Sequence, residues 1–293
     1  FLKHVGIFGN DTIFQLSRFY DASKQIQNHN FSYFQMNYGM GQTGRIINAI
    51  YGPFFAYLMG GLLFFAGSWF RYEIILTYVL FLIGGIGFYH LSRKVNVSKV
   101  VACVTTTLFL TSGYIFYWIY SNNGNCLGSV FIPYVIVQAI DLINNYKKPF
   151  NWILLGVTVA IIAQVHMLST VMSILLLLPC FIYGLVLSSD KRKMWIDVIK
   201  AVILCVFLTA NVWGAFLVVY GSNKVSSPLD FSPALTTLNL TTPSDVTMWM
   251  GITEGILLLF CIQLIYVLFN FKSSKINTFL TIEGFVFLIL SSN

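Results

Sequence analysis

Charge is what this sequence has least of. Of 293 residues, 17 are Lys or Arg and ten are Asp or Glu, so charged side chains make up 9% of the chain, against roughly 25% in a soluble globular protein. Hydrophobic residues make up 57%, and mean hydropathy is +0.77. So few charges cannot cover that much apolar surface in water, because helices that are apolar all round are stable in lipid. The composition therefore predicts an all-α protein that crosses a lipid bilayer several times. Cysteine is also sparse: Cys103, Cys126, Cys180, Cys205 and Cys261 form no CxxC pair. This argues against a zinc site and a disulfide framework and leaves packing inside helices as their role. No cluster of carboxylates or histidines at ligand spacing calls for a metal, and no cofactor is required. One acidic residue together with a substrate phosphate can still hold a divalent cation. The glycine-rich stretch NYGMGQTGR at 37–45 is no Walker or dinucleotide fingerprint, since no strand precedes it and the glycine spacing is wrong. It reads as a connector ending on the cation Arg45.

Apolar runs long enough to cross a hydrocarbon layer occur near 72–91, 99–120, 126–145, 198–220 and 250–271, with a last one at 276–290. The stretch 152–187 is too long for one crossing at about 1.5 Å per residue, so it predicts two helices, 152–167 and 169–187, turning near His166. The net charge of +7 does not point to nucleic acid, because the basic residues fall in short clusters between apolar runs. Arg93, Lys94 and Lys99, then Lys147 and Lys148, then Lys191, Arg192, Lys193 and Lys200, then Lys272 and Lys275 all share one face if 152–187 crosses twice. The positive-inside tendency makes that face cytoplasmic. The opposite face then carries the connection at 121–125, the turn at His166 and the loop 221–249. The chain starts at Phe1 without a methionine and stops at Asn293 just after an apolar run, which reads as a piece of a longer protein.

Two regions precede this bundle. Residues 10–31 form the one long amphipathic charged segment, predicted as a helix over about 10–29 with Asn10 or Asp11 as its cap. On it Asp11, Arg18 and Asp21 share a face. One reading makes Asp11 a cap and Arg18 with Asp21 a surface ion pair. The other makes Asp11 a general base at the membrane surface and Arg18 a phosphate contact. The run 46–67 is ambiguous between a membrane crossing and an interfacial hairpin; Gly52, Pro53 and the Gly60-Gly61 pair favour the hairpin. Farther along, His166, flanked by Gln164 and Ser169, is either a structural group at a helix end or a phosphate contact and proton shuttle facing a cavity. Glu254 and Glu283 are ionisable groups inside apolar helices and therefore functional candidates.

The order of GNDTIFQLSRFYDASKQIQNHNF, NYGMGQTGRIINAIYGPFFAYLMGGLLFFAG, a helix ending YHLSRK, AQVHMLST and LTANVWGAFLVVYG resembles the bacterial YfhO-type membrane proteins, among the GT-C glycosyltransferase-like proteins. The resemblance covers most of the chain. It implies a GT-C-like bundle from 72 to 293, an extracytoplasmic loop over 1–71 just after a first membrane helix, and juxtamembrane helices over 46–67. YGPFFAYL at 51–58 stands where the family carries a Tyr/Pro motif, with Gly-Pro replacing the usual Pro-Pro. Asp11 falls at the family's essential acidic position. The implied chemistry is transfer of a sugar from a polyprenyl-phosphate donor to a cell-envelope acceptor such as teichoic acid or another glycopolymer, outside the bacterial cytoplasmic membrane. Asp11 would be the base, and Arg18, Arg45 and His166 the phosphate contacts, with Asp21, Gln164 and Glu254 as secondary candidates. The competing expectations are a transporter or flippase for an envelope precursor and a non-catalytic assembly protein on the same fold.

Overall fold

A computed structural model describes residues 11–49, 51–112, 115, 118–119, 123–222, 254–270 and 275–291. Among them the regular structure is helical throughout. Helices α1 (Thr12–Gln27), α2 (Pro53–Ala66), α3 (Trp69–Lys94) and α4 (Lys99–Leu110) come first. They are followed by the short α5 (Leu127–Val130), α6 (Ile132–Ile143), α7 (Trp152–Val165), α8 (Met167–Leu187), α9 (Lys191–Leu208) and α10 (Ala210–Ser222), then α11 (Glu254–Phe269) and α12 (Lys275–Ser291). Two compact units emerge: residues 1–111 with 118–224, and residues 112–117 with 225–293.

Among the described residues three helices are long and apolar enough to cross a membrane: Trp69–Lys94, Leu127–Tyr146 and Met167–Leu187. The pair α9 and α10 passes the same test together but bends by 68°, where 198–220 was expected to run as one helix. The helix also starts earlier, at Lys191, because Asp190 caps it by accepting the Lys193 N–H at 2.9 Å. The expected helix 99–120 is regular from Lys99 to Leu110 and turns at Thr111; beyond it residues 115, 118 and 119 are helical, and most of 113–122 lies outside the described residues. The division of 152–187 is as the sequence indicates, with the break at His166.

In the larger unit the polar contacts identify two ends. Lys94 at the end of α3 pairs with Asp141 near the end of α6. Asn145 donates to the Gly184 carbonyl near the end of α8 (3.2 Å) and touches Met194 in the first turn of α9. Lys200 lies over the Trp152 ring at the start of α7, 5.7 Å from its centroid. Arg93, Lys94, Lys147, Lys148 and Lys191 to Lys193 therefore gather at one end.

The other end carries α1, α2 and the connection between them. Gly52 packs so tightly on the Gln164 backbone, at the end of α7, that a Cβ there would overlap it. At Gly60 a Cβ would stand 2.6 Å from that of Ala22 and 2.8 Å from the Ser23 nitrogen, so the glycine lets α2 lie directly on α1. The 14 residues of α2 span only about 21 Å, short of the roughly 30 Å hydrocarbon layer. Packed along α1, α2 does not run to the basic end. The smaller unit contains α11 packed on α12, with Gln263 donating to Thr281 (3.4 Å) and Glu283 buried.

Candidate functional site

Helix α1 buries a polar row beside an apolar one, Leu16, Phe19 and Ala22. Gln15, Arg18, Asp21 and Gln25 are all buried, whereas Ile13 is 66% exposed and Tyr20 is also exposed. The buried polar row fastens the connection 28–52 to the helix. Asp21 Oδ1 accepts the N–H groups of Tyr38 (2.6 Å) and Gly39 (3.1 Å), and Oδ2 accepts Gln25 Nε2 (2.6 Å). Gln25 also donates to the Gln35 carbonyl (3.0 Å) and accepts from the Ser32 N–H (2.7 Å) and the Tyr57 hydroxyl. Every donor and acceptor of these two side chains that faces the connection is used, which makes the connection a fixed part of the fold.

Arg18 does the same for the entrance to α2. Nε donates to Asn48 Oδ1 (3.0 Å), Nη1 to Gln15 Oε1 (2.6 Å), and Nη2 to the carbonyls of Tyr51 (3.0 Å) and Gly52 (3.5 Å). The guanidinium lies over the Tyr51 ring at 5.1 Å. Burial pulls its pKa down to about 9, an effect that Tyr51 opposes. This corrects both expectations for Arg18. It makes no ion pair with Asp21, and with no exposed surface and neutral acceptors around it, it is a strut and not a phosphate contact. Asp21 is likewise a loop anchor.

Asp11 occupies the N-cap position of α1 but makes no capping hydrogen bond, and Asn10, the other cap expected, lies outside the described residues. Its side chain is exposed. Its charge acts on His166, the residue between α7 and α8. His166 is extended (φ −153°, ψ 114°) and caps α8, with Nδ1 accepting the Ser169 N–H at 3.3 Å and lying 2.9 Å from Ser169 Oγ. Because Nδ1 accepts, the neutral ring carries its proton on Nε2. Burial lowers the His166 pKa, and the Asp11 carboxylate counters that by raising it. The turn is packed against α5, where a Cβ on Gly128 would meet Ser169 Oγ at 2.8 Å.

Gln164, a secondary candidate, is a bracing residue. It donates to the Leu208 carbonyl (3.0 Å) and to Asn211 Oδ1 (2.7 Å), and Asn211 returns a bond to Gln164 Oε1 (3.1 Å). Asn211 also reaches the Tyr33 hydroxyl at 3.5 Å. The bend between α9 and α10 is thus tied to α7 and to the connection 28–52. Arg45 is exposed, and its carbonyl accepts the Met36 N–H (2.9 Å). Glu254 opens α11, and its side chain lies outside the described residues, as does the loop from 223. Among the described residues no group of three or more His, Cys, Asp or Glu is assembled.

Of the residues singled out in the sequence, the fold thus brings Asp11 and His166 together, with Gln164 two residues away in the chain. Sequence reasoning missed Asn48, Tyr33 and Asn211, neutral residues whose only signal was a polar side chain within or beside an apolar run. Compared with protein-family models, curated proteins and solved structures, the chain matches none.

Proposed function

We propose that the protein is a membrane glycosyltransferase that moves a sugar from a polyprenyl-phosphate donor to a hydroxyl of an envelope glycopolymer such as teichoic acid, on the outer side of a bacterial cytoplasmic membrane. The observation that carries this reading is the exposed carboxylate of Asp11 beside the neutral, half-buried His166, at the end of the larger unit opposite the basic residues. The acceptor oxygen attacks the anomeric carbon and Asp11 takes its proton. The bond from that carbon to the phosphate oxygen breaks, and polyprenyl phosphate leaves with the electron pair. His166 Nε2–H and the exposed Arg45 are the donors available to the leaving phosphate, in place of Arg18. A divalent cation held between the phosphate and Asp11 would serve the same end.

The test supplies purified protein with polyprenyl-phosphate sugar and acceptor. Asp11→Asn is expected to lower the transfer rate by about 10²- to 10⁴-fold, the usual contribution of a general base. Undiminished transfer by that variant would overturn the assignment of the base, and absence of transfer by the unaltered protein would overturn the reaction class. A transporter is the second reading, favoured by the broken pair α9–α10 and the buried Glu283. It requires substrate movement that survives Asp11→Asn and fails in Glu283→Gln.

A further inference from the structure

A groove of about 300 Å³, lined almost wholly by apolar side chains, lies between α7, α8 and α9 of the larger unit. Small residues draw α7 and α9 together beneath it: a Cβ on Gly156 would stand 2.7 Å from the Ala201 carbonyl. Near the basic end α8 meets α9, where a Cβ on Gly184 would come 3.0 Å from Met194 Cε and Phe181 stands edge-on to Trp195 at 4.9 Å between centroids. From that closure the groove follows Val198, Val202 and Val206 of α9, and Trp213 lines it beyond the bend. Eight residues of helix make it about 12 Å long. Ile174 and Leu178 on α8 are 48% and 51% exposed, and Val202 and Val206 opposite them 55% and 53%. The groove therefore opens sideways, toward the hydrocarbon that surrounds α8 in a bilayer.

A helix about 10 Å across is too thick to enter so small a groove, and water would find few polar partners in it. One alkyl chain suits both its length and its lining. In a bilayer such chains carry headgroups, and the charge at the closed end selects among them. The valine row of α9 continues at helical spacing through Trp195 to Lys191. Half-exposed Trp195 marks the level at which indole rings sit in a membrane interface, and Lys191 lies one turn beyond it. Arg192 and Lys193 follow, all three exposed. Lys147 and Lys148 stand in the neighbouring connection, joined to this one by the Ser188 hydroxyl donating to Asn145 Oδ1 at 3.3 Å. The carboxylates here are engaged elsewhere: Asp190 caps α9, and Asp197 pairs with Lys200 at 3.6 Å. Among the described residues, Lys191, Arg192 and Lys193 have no ion-pair partner. Unpaired cations at the mouth of an apolar groove fit a lipid with an anionic headgroup.

We infer that this groove holds one acyl chain of an anionic phospholipid, with Lys191 and Arg192 on its phosphate. The site stands at the end of the unit opposite Asp11 and His166 and does not depend on the reaction proposed there. It is tested by native mass spectrometry of the purified protein titrated with dioleoyl phosphatidylglycerol or dioleoyl phosphatidylcholine, which share their chains and differ in headgroup charge. Phosphatidylglycerol is expected to bind saturably and the more tightly of the two. Replacing both Lys191→Gln and Arg192→Gln should weaken it about 30-fold, at about fivefold per cation near a membrane surface, and abolish the preference. The charge-conserving exchange of Lys191→Arg with Arg192→Lys should keep it. Val202→Phe, at an exposed position on the rim, should weaken both lipids by filling the groove. Asp11→Asn should bind phosphatidylglycerol unchanged even where it has lost sugar transfer. The inference is overturned if the two lipids bind equally to the unaltered protein, if the paired Gln variant or Val202→Phe binds undiminished, or if Asp11→Asn loses the lipid. Displacement of phosphatidylglycerol by an equal amount of polyprenyl phosphate would also overturn it, by assigning the groove to the sugar donor.

Discussion

A guanidinium buried without a carboxylate needs a structural reason, and for Arg18 the reason is geometric. Its planar fork meets an amide oxygen on each of Asn48 and Gln15 and the carbonyls of Tyr51 and Gly52, a set that a single ammonium cannot match. Arg18→Lys should orphan at least one buried acceptor at about 1–3 kcal/mol each. The expected result is a lower midpoint in thermal unfolding together with faster amide exchange in the segment around Asn48 to Gly52. A variant of unchanged stability with only a raised KM for the donor would restore Arg18 as a phosphate contact. Spacing puts Asp11, Arg18 and Asp21 along one side of the helix, yet Asp11 is exposed and Arg18 and Asp21 are buried. Helical periodicity says that polar and apolar residues separate; it does not say which side meets solvent. Where lipid is the solvent, Phe65 can stand 85% exposed while Arg18 and Asp21 are sealed inside.

The same contrast appears between the two breaks in the helical elements. The break at His166 was readable because 152–187 is too long for one crossing and carries one polar cluster near its middle. The bend at Thr209 was not, because neither proline nor glycine marks it. Thr209 Oγ1 bonds back to the Cys205 carbonyl at 2.7 Å, a known source of helix bending. The bend is then held by Gln164 and Asn211, partners 47 residues apart, so no local pattern could show it. The His166 break carries a pH dependence whose sign is fixed. Burial lowers the folded pKa below the ordinary 6.5, so between those values the unfolded chain binds more protons and the fold loses stability as the pH falls. Protonation also removes Nδ1 as the acceptor for the Ser169 N–H. Amide exchange over Met167 to Thr170, corrected for its intrinsic pH dependence, should therefore accelerate as the pH falls through the ordinary 6.5 and below it. His166→Asn, which keeps a capping acceptor, should abolish that acceleration, and a pH response unchanged in this variant would assign it to another group.

At the scale of the whole molecule, the basic clusters and the packing agree on one division. The sequence placed Arg93, Lys94, Lys147, Lys148 and Lys191 to Lys193 on a common face by counting crossings. In the larger unit the Lys94–Asp141 pair and the bonds of Asn145 bring those same residues to one end. The run 46–67 could not be placed by composition, since its glycines and proline are tolerated in either setting. What places it is contact: α2 lies along α1, and Gly52 rests on the end of α7 beside His166. If the basic end faces the cytoplasm, α1 and α2 lie wholly outside. The five cysteines are all free, two of them exposed, so they are first replaced. A single cysteine is then introduced at exposed Asn28 or exposed Lys191 and treated with an impermeant maleimide on intact cells. Asn28→Cys should label without permeabilisation and Lys191→Cys only after it. The reverse pattern would put Asp11 in the cytoplasm, out of reach of an envelope acceptor, and labelling of both sites in intact cells would break the two-ended arrangement itself.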